Sequence, residues 1–126
     1  MKGKRLKNMK SLIDANVILR YLLNDIPEQA HIAKQTIIEG AYSLPEVIAE
    51  VVYVLKGVYK VDRAEIAEAL NSILQEITVE NSEMVIEALQ IFADKNLDFV
   101  DCILIAHHRL GKEKVVSFDK RLNYFL

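Results

Sequence analysis

An isolated carboxylate interrupts an apolar run near the start of the chain. The run covers residues 11–19, and Asp14 is its one charged side chain. Moving an ionised carboxylate out of water is unfavourable unless the group is paired, hydrogen-bonded or bound to a metal. We therefore expect Asp14 to be either the N-cap of a helix or a ligand.

Short apolar runs alternate with amphipathic stretches along the rest of the sequence. The short runs predict buried strands at residues 11–13, 41–44, 77–79 and 114–118. Prolines, glycines and capping residues delimit predicted helices at about 16–23, 27–39, 45–57, 62–74, 82–95 and 98–108, with a helical tail from 120. Asp62, with Glu65 in a capping box, and Ser82 are the expected N-caps of two of them. This alternation predicts an α/β fold with helices on both faces of a parallel sheet.

Length and charge distribution limit the organisation of the chain. The 126 residues are 52% hydrophobic and 27% charged, which suits one globular domain with one core. The first ten residues hold five Lys or Arg and no acid, so 1–10 are expected to form a basic, flexible tail and 11–126 a single domain. Contact between this tail and a nucleic-acid backbone is the alternative. The lone Cys102 and the lack of a secretory signal or membrane-spanning run predict a cytoplasmic location.

Three further carboxylates stand beside apolar runs, namely Glu50, Asp101 and Asp119. Asp14, Asp119 and the pair Asp98 and Asp101 could each be helix caps when considered alone. Glu50 lies inside a predicted helix with no Lys or Arg one turn away, so a purely structural role requires a distant Arg. Because the carboxyl ends of parallel strands and the helix starts after them share one sheet edge, several of these acids could converge there.

Converging carboxylates have a chemical consequence. Left alone, they would repel and raise one another's pKa values, whereas a hard divalent cation would neutralise them. Mg²⁺ or Mn²⁺ is the expected ion. Such a site keeps positions open for water and phosphate oxygens, so it can support in-line phosphodiester cleavage.

Four segments of the chain resemble the PIN domains, and particularly the VapC-type toxin ribonucleases. They are residues 12–16 (LIDAN), 45–55 (PEVIAEVVYVL), 98–106 (DFVDCILIA) and 116–119 (VSFD). Together they extend the resemblance over nearly the whole chain. It implies a three-layer α/β/α sandwich with a central parallel sheet of four to five short strands. The sequence departs from many PIN domains in ending soon after Asp119, so the far edge of the sheet is expected to be short or absent.

The resemblance also implies the roles of the acids. It makes Asp14, Glu50, Asp101 and Asp119 the catalytic, metal-binding residues, with the ion held chiefly by the three aspartates and Glu50 acting on the attacking water. Asn16 and Ser117 would hold waters or carboxylates around the metal. Asp98 occupies a position where the family pattern varies, and we rank it as auxiliary.

The implied function is a Mg²⁺- or Mn²⁺-dependent endoribonuclease, the toxin of a VapBC-type pair. Its implied partners are an RNA substrate, a small antitoxin protein and a second copy of the chain in a homodimer. Alternatives are a nuclease that processes ribosomal RNA or structured DNA, and a non-catalytic PIN module that binds a partner or RNA. A phosphatase or phosphotransfer receiver fits less well, because Asn16 stands where common Asp-nucleophile phosphatases have a second acid.

Overall fold

The computed structural model describes residues 10–126 and contains a parallel sheet of three strands in that range. The strands are β1 (Ser11–Leu12), β2 (Ala41–Ser43) and β3 (Thr78–Val79), in the spatial order β1-β2-β3. Tyr42 is in register with Leu12 on one side and Thr78 on the other. Because the strands are parallel, the residues that follow each of them come out at the same edge of the sheet.

Seven helices accompany this sheet within the described residues. They are α1 (Ala15–Leu23), α2 (Pro27–Glu39), α3 (Pro45–Gly57), α4 (Arg63–Ile73), α5 (Ser82–Asp94), α6 (Phe99–Gly111) and α7 (Lys120–Asn123). Pro27 and Pro45 are the first residues of α2 and α3. The N–H at this position has no partner inside a helix, so its absence in proline costs no helical hydrogen bond. Gly40 follows α2 with a φ of 118°, a backbone conformation that other residues rarely adopt.

The helices bury their apolar faces in one hydrophobic cluster that extends from Ile13 to Leu122. Several of its side chains are fully shielded from solvent, including Ile18, Ile48, Ile66, Leu70, Leu89 and Ile105. Cys102 also lies in this cluster, and burial raises the pKa of its thiol to about 12. The thiol therefore stays neutral and packs as an apolar group. Within residues 10–126, no helix has the length and apolar character to cross a membrane.

A buried hydrogen bond joins the segment after β1 to β2. Ser43 is 1% exposed, and its Oγ donates to the carbonyl oxygen of Ile13 at 2.8 Å. The backbone N–H of Ile13 donates in turn to the carbonyl of Tyr42 at 3.0 Å. Both the N–H and the carbonyl of Ile13, the residue before Asp14, are thus hydrogen-bonded to β2.

The prediction of a buried strand at residues 114–118 is wrong. This segment has no strand structure, and the side chains of Val116 and Phe118 are exposed. β-propensity produces a strand only where side-chain packing and a pairing partner support it. Here Ser117 is bound locally instead: its Oγ accepts from the N–H of Asp119 at 3.0 Å, and its carbonyl accepts from Asn123 Nδ2 at 2.8 Å. The expected four to five strands are accordingly not confirmed.

Two predicted caps do not form as expected, although Asp62 does occupy the N-cap position of α4 and the helices themselves begin where expected. Asp62 precedes α4, but its side chain accepts no hydrogen bond from the helix. Ser82 is the first residue of α5, and the N-cap position belongs to Asn81 in a left-handed conformation. Apart from Lys10, whose Nζ donates to Thr78 Oγ1 at 2.6 Å, the predicted basic tail lies outside the described residues.

Candidate metal centre

Asp14 is the second residue after β1 and is the N-cap of α1. Its Oδ1 accepts a hydrogen bond from the backbone N–H of Val17 at 3.0 Å, so the predicted cap forms. In the part of the chain that the structure describes, Oδ2 makes no hydrogen bond, and the residue is exposed. One carboxylate oxygen therefore caps the helix while the other is free to bind an ion.

Asp119 repeats this arrangement at the start of α7. Its Oδ1 accepts from the backbone N–H groups of Arg121 and Leu122 at 2.8 and 3.1 Å. The Ser117 hydroxyl supports the Asp119 backbone through the bond described above. Asp119 thus also keeps Oδ2 clear of the helix, although the strand that was predicted to lead to it is missing.

Asp98 and Asp101 lie at the start of α6 and do not cap it. Asp98 occupies the N-cap position, but its side chain forms no cap hydrogen bond, so the interpretation of the two acids as a capping pair is wrong. Asp101 is half-buried in the first turn. Both carboxylates are left available for other partners.

The charges around Asp101 show which acids come together. Burial raises the pKa of Asp101, the negative charges of Asp98 and Asp119 raise it further, and the Arg121 guanidinium lowers it. The pKa stays above its usual value in spite of that arginine. Three acids from α6 and the start of α7 therefore share one region with an excess of negative charge.

Glu50 is an exposed residue on the second turn of α3, the helix that follows β2. None of the described Lys or Arg residues forms an ion pair with it. The distant arginine that a purely structural role requires is therefore not found among residues 10–126. Asn16, in the first turn of α1, is exposed as well.

The predicted acidic side chains do not form a complete set of direct metal ligands in the described residues. Among the described residues, no three His, Cys, Asp or Glu side chains are placed so that they could hold one metal ion. The charges of Asp98 and Asp119 act on Asp101, whereas no hydrogen bond or ion pair joins these acids to Asp14 or Glu50 within that range. The four-carboxylate site remains a prediction.

The donor set nevertheless suits a hard divalent cation. All the predicted ligands offer oxygen, Asp14 and Asp119 each have a free Oδ2, and the Asp101 carboxylate lies near those of Asp98 and Asp119. Mg²⁺ characteristically keeps several waters and binds through only one or two carboxylates directly. Such an ion does not require all the acids in direct contact.

A groove of about 470 Å³ opens beside Asp98 and Asp101, between α3 and α6. Its walls are largely apolar, and Tyr53 and Val100 at its edge are 78% and 60% exposed. Lys56 and Arg63 also line it. The acids thus border a surface that is open to a large ligand.

Sequence reasoning missed two arginines near these acids. Arg121 lies two residues after Asp119, and its positive charge lowers the pKa of Asp101. Arg63 begins α4 and reaches the turn before α6. The proximity of Arg121 to Asp119 in the sequence was a usable signal, but nothing in the sequence pairs Arg63 with a segment more than 30 residues away.

The comparison with protein families identifies the family of the chain. A family model of the PIN domain matches residues 11–125. The chain belongs to the PIN domain family. The predicted resemblance to the PIN domains is confirmed.

A curated relative of this PIN domain is the VapC ribonuclease of Aquifex aeolicus (strain VF5). The two are 34% identical over 79 residues, which is 60% of this chain. The match spans 58% of the relative, less than two thirds of its length. No solved structure matches the chain.

Proposed function

We propose that this PIN domain is a metal-dependent endoribonuclease that hydrolyses RNA phosphodiester bonds. The observation that carries the proposal is the charge cluster of Asp98, Asp101 and Asp119 in a chain that the PIN family model matches over residues 11–125. The likeness to a VapC ribonuclease supports RNA as the substrate class. The activity is that of a hydrolase, with Mg²⁺ or Mn²⁺ as cofactor.

The proposal gives each acid a role. Asp14, Asp101 and Asp119 hold the ion, and the free Oδ2 atoms of Asp14 and Asp119 are the oxygens offered to it. When bound, the cation supplies activation of water and neutralises the charge that develops on the phosphate. Glu50 orients the attacking water or accepts its proton.

Polar neighbours complete the arrangement. Ser117 holds the backbone of Asp119, and Asn16 offers an exposed carboxamide on the first turn of the helix that Asp14 caps. Asp98 is an auxiliary acid that adds negative charge beside Asp101. These residues keep the acids and surrounding waters in place.

The biological setting that we propose is a VapBC-type toxin–antitoxin pair in the cytoplasm. A small antitoxin would block the site by placing an Arg or Lys among the carboxylates, where the excess negative charge favours a cation. The groove beside Asp98 and Asp101 provides an open apolar surface next to that position. Homodimerisation is part of the same proposal and rests on the family resemblance.

Metal removal tests the proposed activity. Purified protein is expected to cut RNA in the presence of Mg²⁺ or Mn²⁺, to stop in excess EDTA, and to resume when Mg²⁺ is restored above the chelator. The measurement is the appearance of cleavage fragments from a panel of end-labelled RNAs. Fragments formed at the same rate in EDTA would contradict metal dependence.

A negative result has a separate interpretation. If no RNA is cut and Mn²⁺ does not bind, the non-catalytic PIN module replaces the nuclease. A short reading frame encoding an antitoxin immediately upstream of this chain would favour the toxin over a ribosomal-RNA-processing nuclease.

A further inference from the structure

The turn between α5 and α6 is held from outside by an arginine of α4. Arg63 Nη1 donates to the carbonyl oxygens of Lys95 and Leu97, each at 2.8 Å, and to that of Phe92 at 3.1 Å. Its Nη2 donates to Asn96 Oδ1 at 3.2 Å. One guanidinium thus binds three consecutive residues of the turn, 95–97, and one residue in the last part of α5.

Two of these contacts satisfy carbonyls, those of Phe92 and Leu97, that accept no hydrogen bond from the described backbone, whereas the Lys95 carbonyl also accepts from the Leu97 N–H at 3.0 Å. The last carbonyls of a helix have no partner inside the helix, and a cation near them is favourable. The last turn of α5 contains no basic residue of its own. Arg63 supplies that cation, and its guanidinium carbon also lies 4.2 Å from the centre of the Phe92 ring.

A second arginine, which follows the turn in the sequence, also binds it. Arg121 of α7 donates through Nη2 to the carbonyl of Asn96. The turn is therefore held by side chains from α4 and α7, two helices that flank it in space but not in sequence. α7 begins directly after Asp119, so this second contact also links the turn to that acid.

The turn leads directly into the acids of α6. Leu97 is followed by Asp98, and the carbonyl of Asp98 accepts the N–H of Cys102 at 3.1 Å to form the first helical turn, which contains Asp101. A shift of residues 95–97 would move this first turn with it. The position of two carboxylates thus depends on a backbone that Arg63 holds.

We propose that Arg63 is a positioning residue, which fixes the α5–α6 turn and so places Asp98 and Asp101 for ion binding. This inference rests on the proposed metal-dependent function. In this role Arg63 acts through the turn to which its Nη1 and Nη2 donate, and not by contact with the ion or the RNA. Removal of the Arg63 guanidinium lowers the affinity for the ion and the rate of RNA cleavage, and it leaves RNA binding unchanged.

The test compares Arg63→Met with Arg109→Met in the full chain. Methionine keeps much of the apolar stem of arginine and loses its hydrogen-bond donors. Arg109 is the matched control because it joins α6 to α5 at the other end of the helix pair, through Glu87 at 3.7 Å. Should Arg63→Met fail to fold, Arg63→Lys provides the same test with the charge retained and the planar fork lost.

Two measurements on the folded variants separate positioning from simple stabilisation. Calorimetric titration of Mn²⁺ is expected to show affinity weakened by about tenfold or more in Arg63→Met, the range typical for removing the support of a metal ligand. RNA cleavage is expected to show a lower kcat at unchanged KM. Arg109→Met is expected to match the parent protein in both.

Amide hydrogen exchange provides a readout that needs no metal. The Cys102 N–H is expected to exchange faster in Arg63→Met than in Arg109→Met, because the first turn of α6 opens more often. Equal Mn²⁺ affinity, kcat and Cys102 exchange in Arg63→Met and the parent would overturn the positioning role while the proposed function stands. Absence of Mn²⁺ binding and cleavage in the parent would instead overturn the proposed function.

Discussion

Asp14→Asn is expected to reduce metal-dependent RNA cleavage by about 100-fold or more, since even residues that merely support metal ligands contribute about 10–100-fold. Folding is expected to change little. Asn is as good an N-cap as Asp, and its side-chain oxygen can still accept the Val17 N–H. The lost interaction between the negative charge and the helix dipole costs about 0.3–1 kcal/mol. Cleavage rates and urea unfolding, measured on the same preparation, check both parts.

Glu28→Gln is the matched control for this substitution. Glu28 is an exposed acid in the first turn of α2, and the change likewise removes one negative charge near a helix N-terminus. It is expected to leave cleavage unchanged. Asp14→Asn that cuts RNA as fast as Glu28→Gln would show that the Asp14 charge has no part in the chemistry.

Phe92→Ala is expected to lower the free energy of unfolding by about 3–5 kcal/mol, the usual range for removing a buried aromatic ring. Phe92 is 2% exposed and packs edge-to-face against Phe99, with ring centres 5.9 Å apart. The substitution also removes the ring beneath the Arg63 guanidinium. This loss is a large part of the 5–15 kcal/mol typical of a domain. Urea denaturation followed by circular dichroism measures it.

Val100→Ala is the control for the core substitution. Val100 lies in the first turn of α6 next to Phe99 but is 60% exposed, so its truncation is expected to change the free energy of unfolding by about 0.5 kcal/mol or less. A loss below about 1 kcal/mol in Phe92→Ala would contradict the packing described here.

Local sequence signals were sufficient for most of the helices. Pro27 and Gly40 bracket α2, and Pro45 and Gly57 bracket α3, because proline fixes its own φ at a helix start and glycine readily adopts conformations that end a helix. The first three strands were also predicted to within one or two residues. Each of them precedes a helix or turn that is clearly marked in the sequence.

The failed predictions depend on interactions that local sequence does not specify. Residues 115–118 have strand-forming side chains, but the polar groups of Ser117 are taken by the α7 turn. Asp62 and Asp98 stand at helix N-termini, yet neither side chain accepts a hydrogen bond from its helix. Residue type alone does not determine whether a carboxylate turns toward the backbone or toward another partner.

The candidate site was predicted in a similarly uneven way. Asp14 and Asp119 were each predicted to be a helix cap or a metal ligand, and both caps form through Oδ1 alone. Asp98 and Asp119 come close to Asp101 where the start of α6 lies near the start of α7, and no local sequence pattern specifies that approach. The relation of Glu50 to these acids stays a prediction from the family resemblance.

Calorimetric titration of Mn²⁺ into the parent protein, Asp14→Asn and Asp101→Asn tests the shared metal centre most directly. Asp14 follows the first strand and Asp101 lies on α6. Each substitution is expected to weaken the binding of the same Mn²⁺ ion only if both residues contribute to one metal centre. We predict saturable binding to the parent that weakens by about tenfold or more in each variant. No binding of Mn²⁺ to the parent, or equal Mn²⁺ affinity in all three proteins, would contradict the shared metal centre.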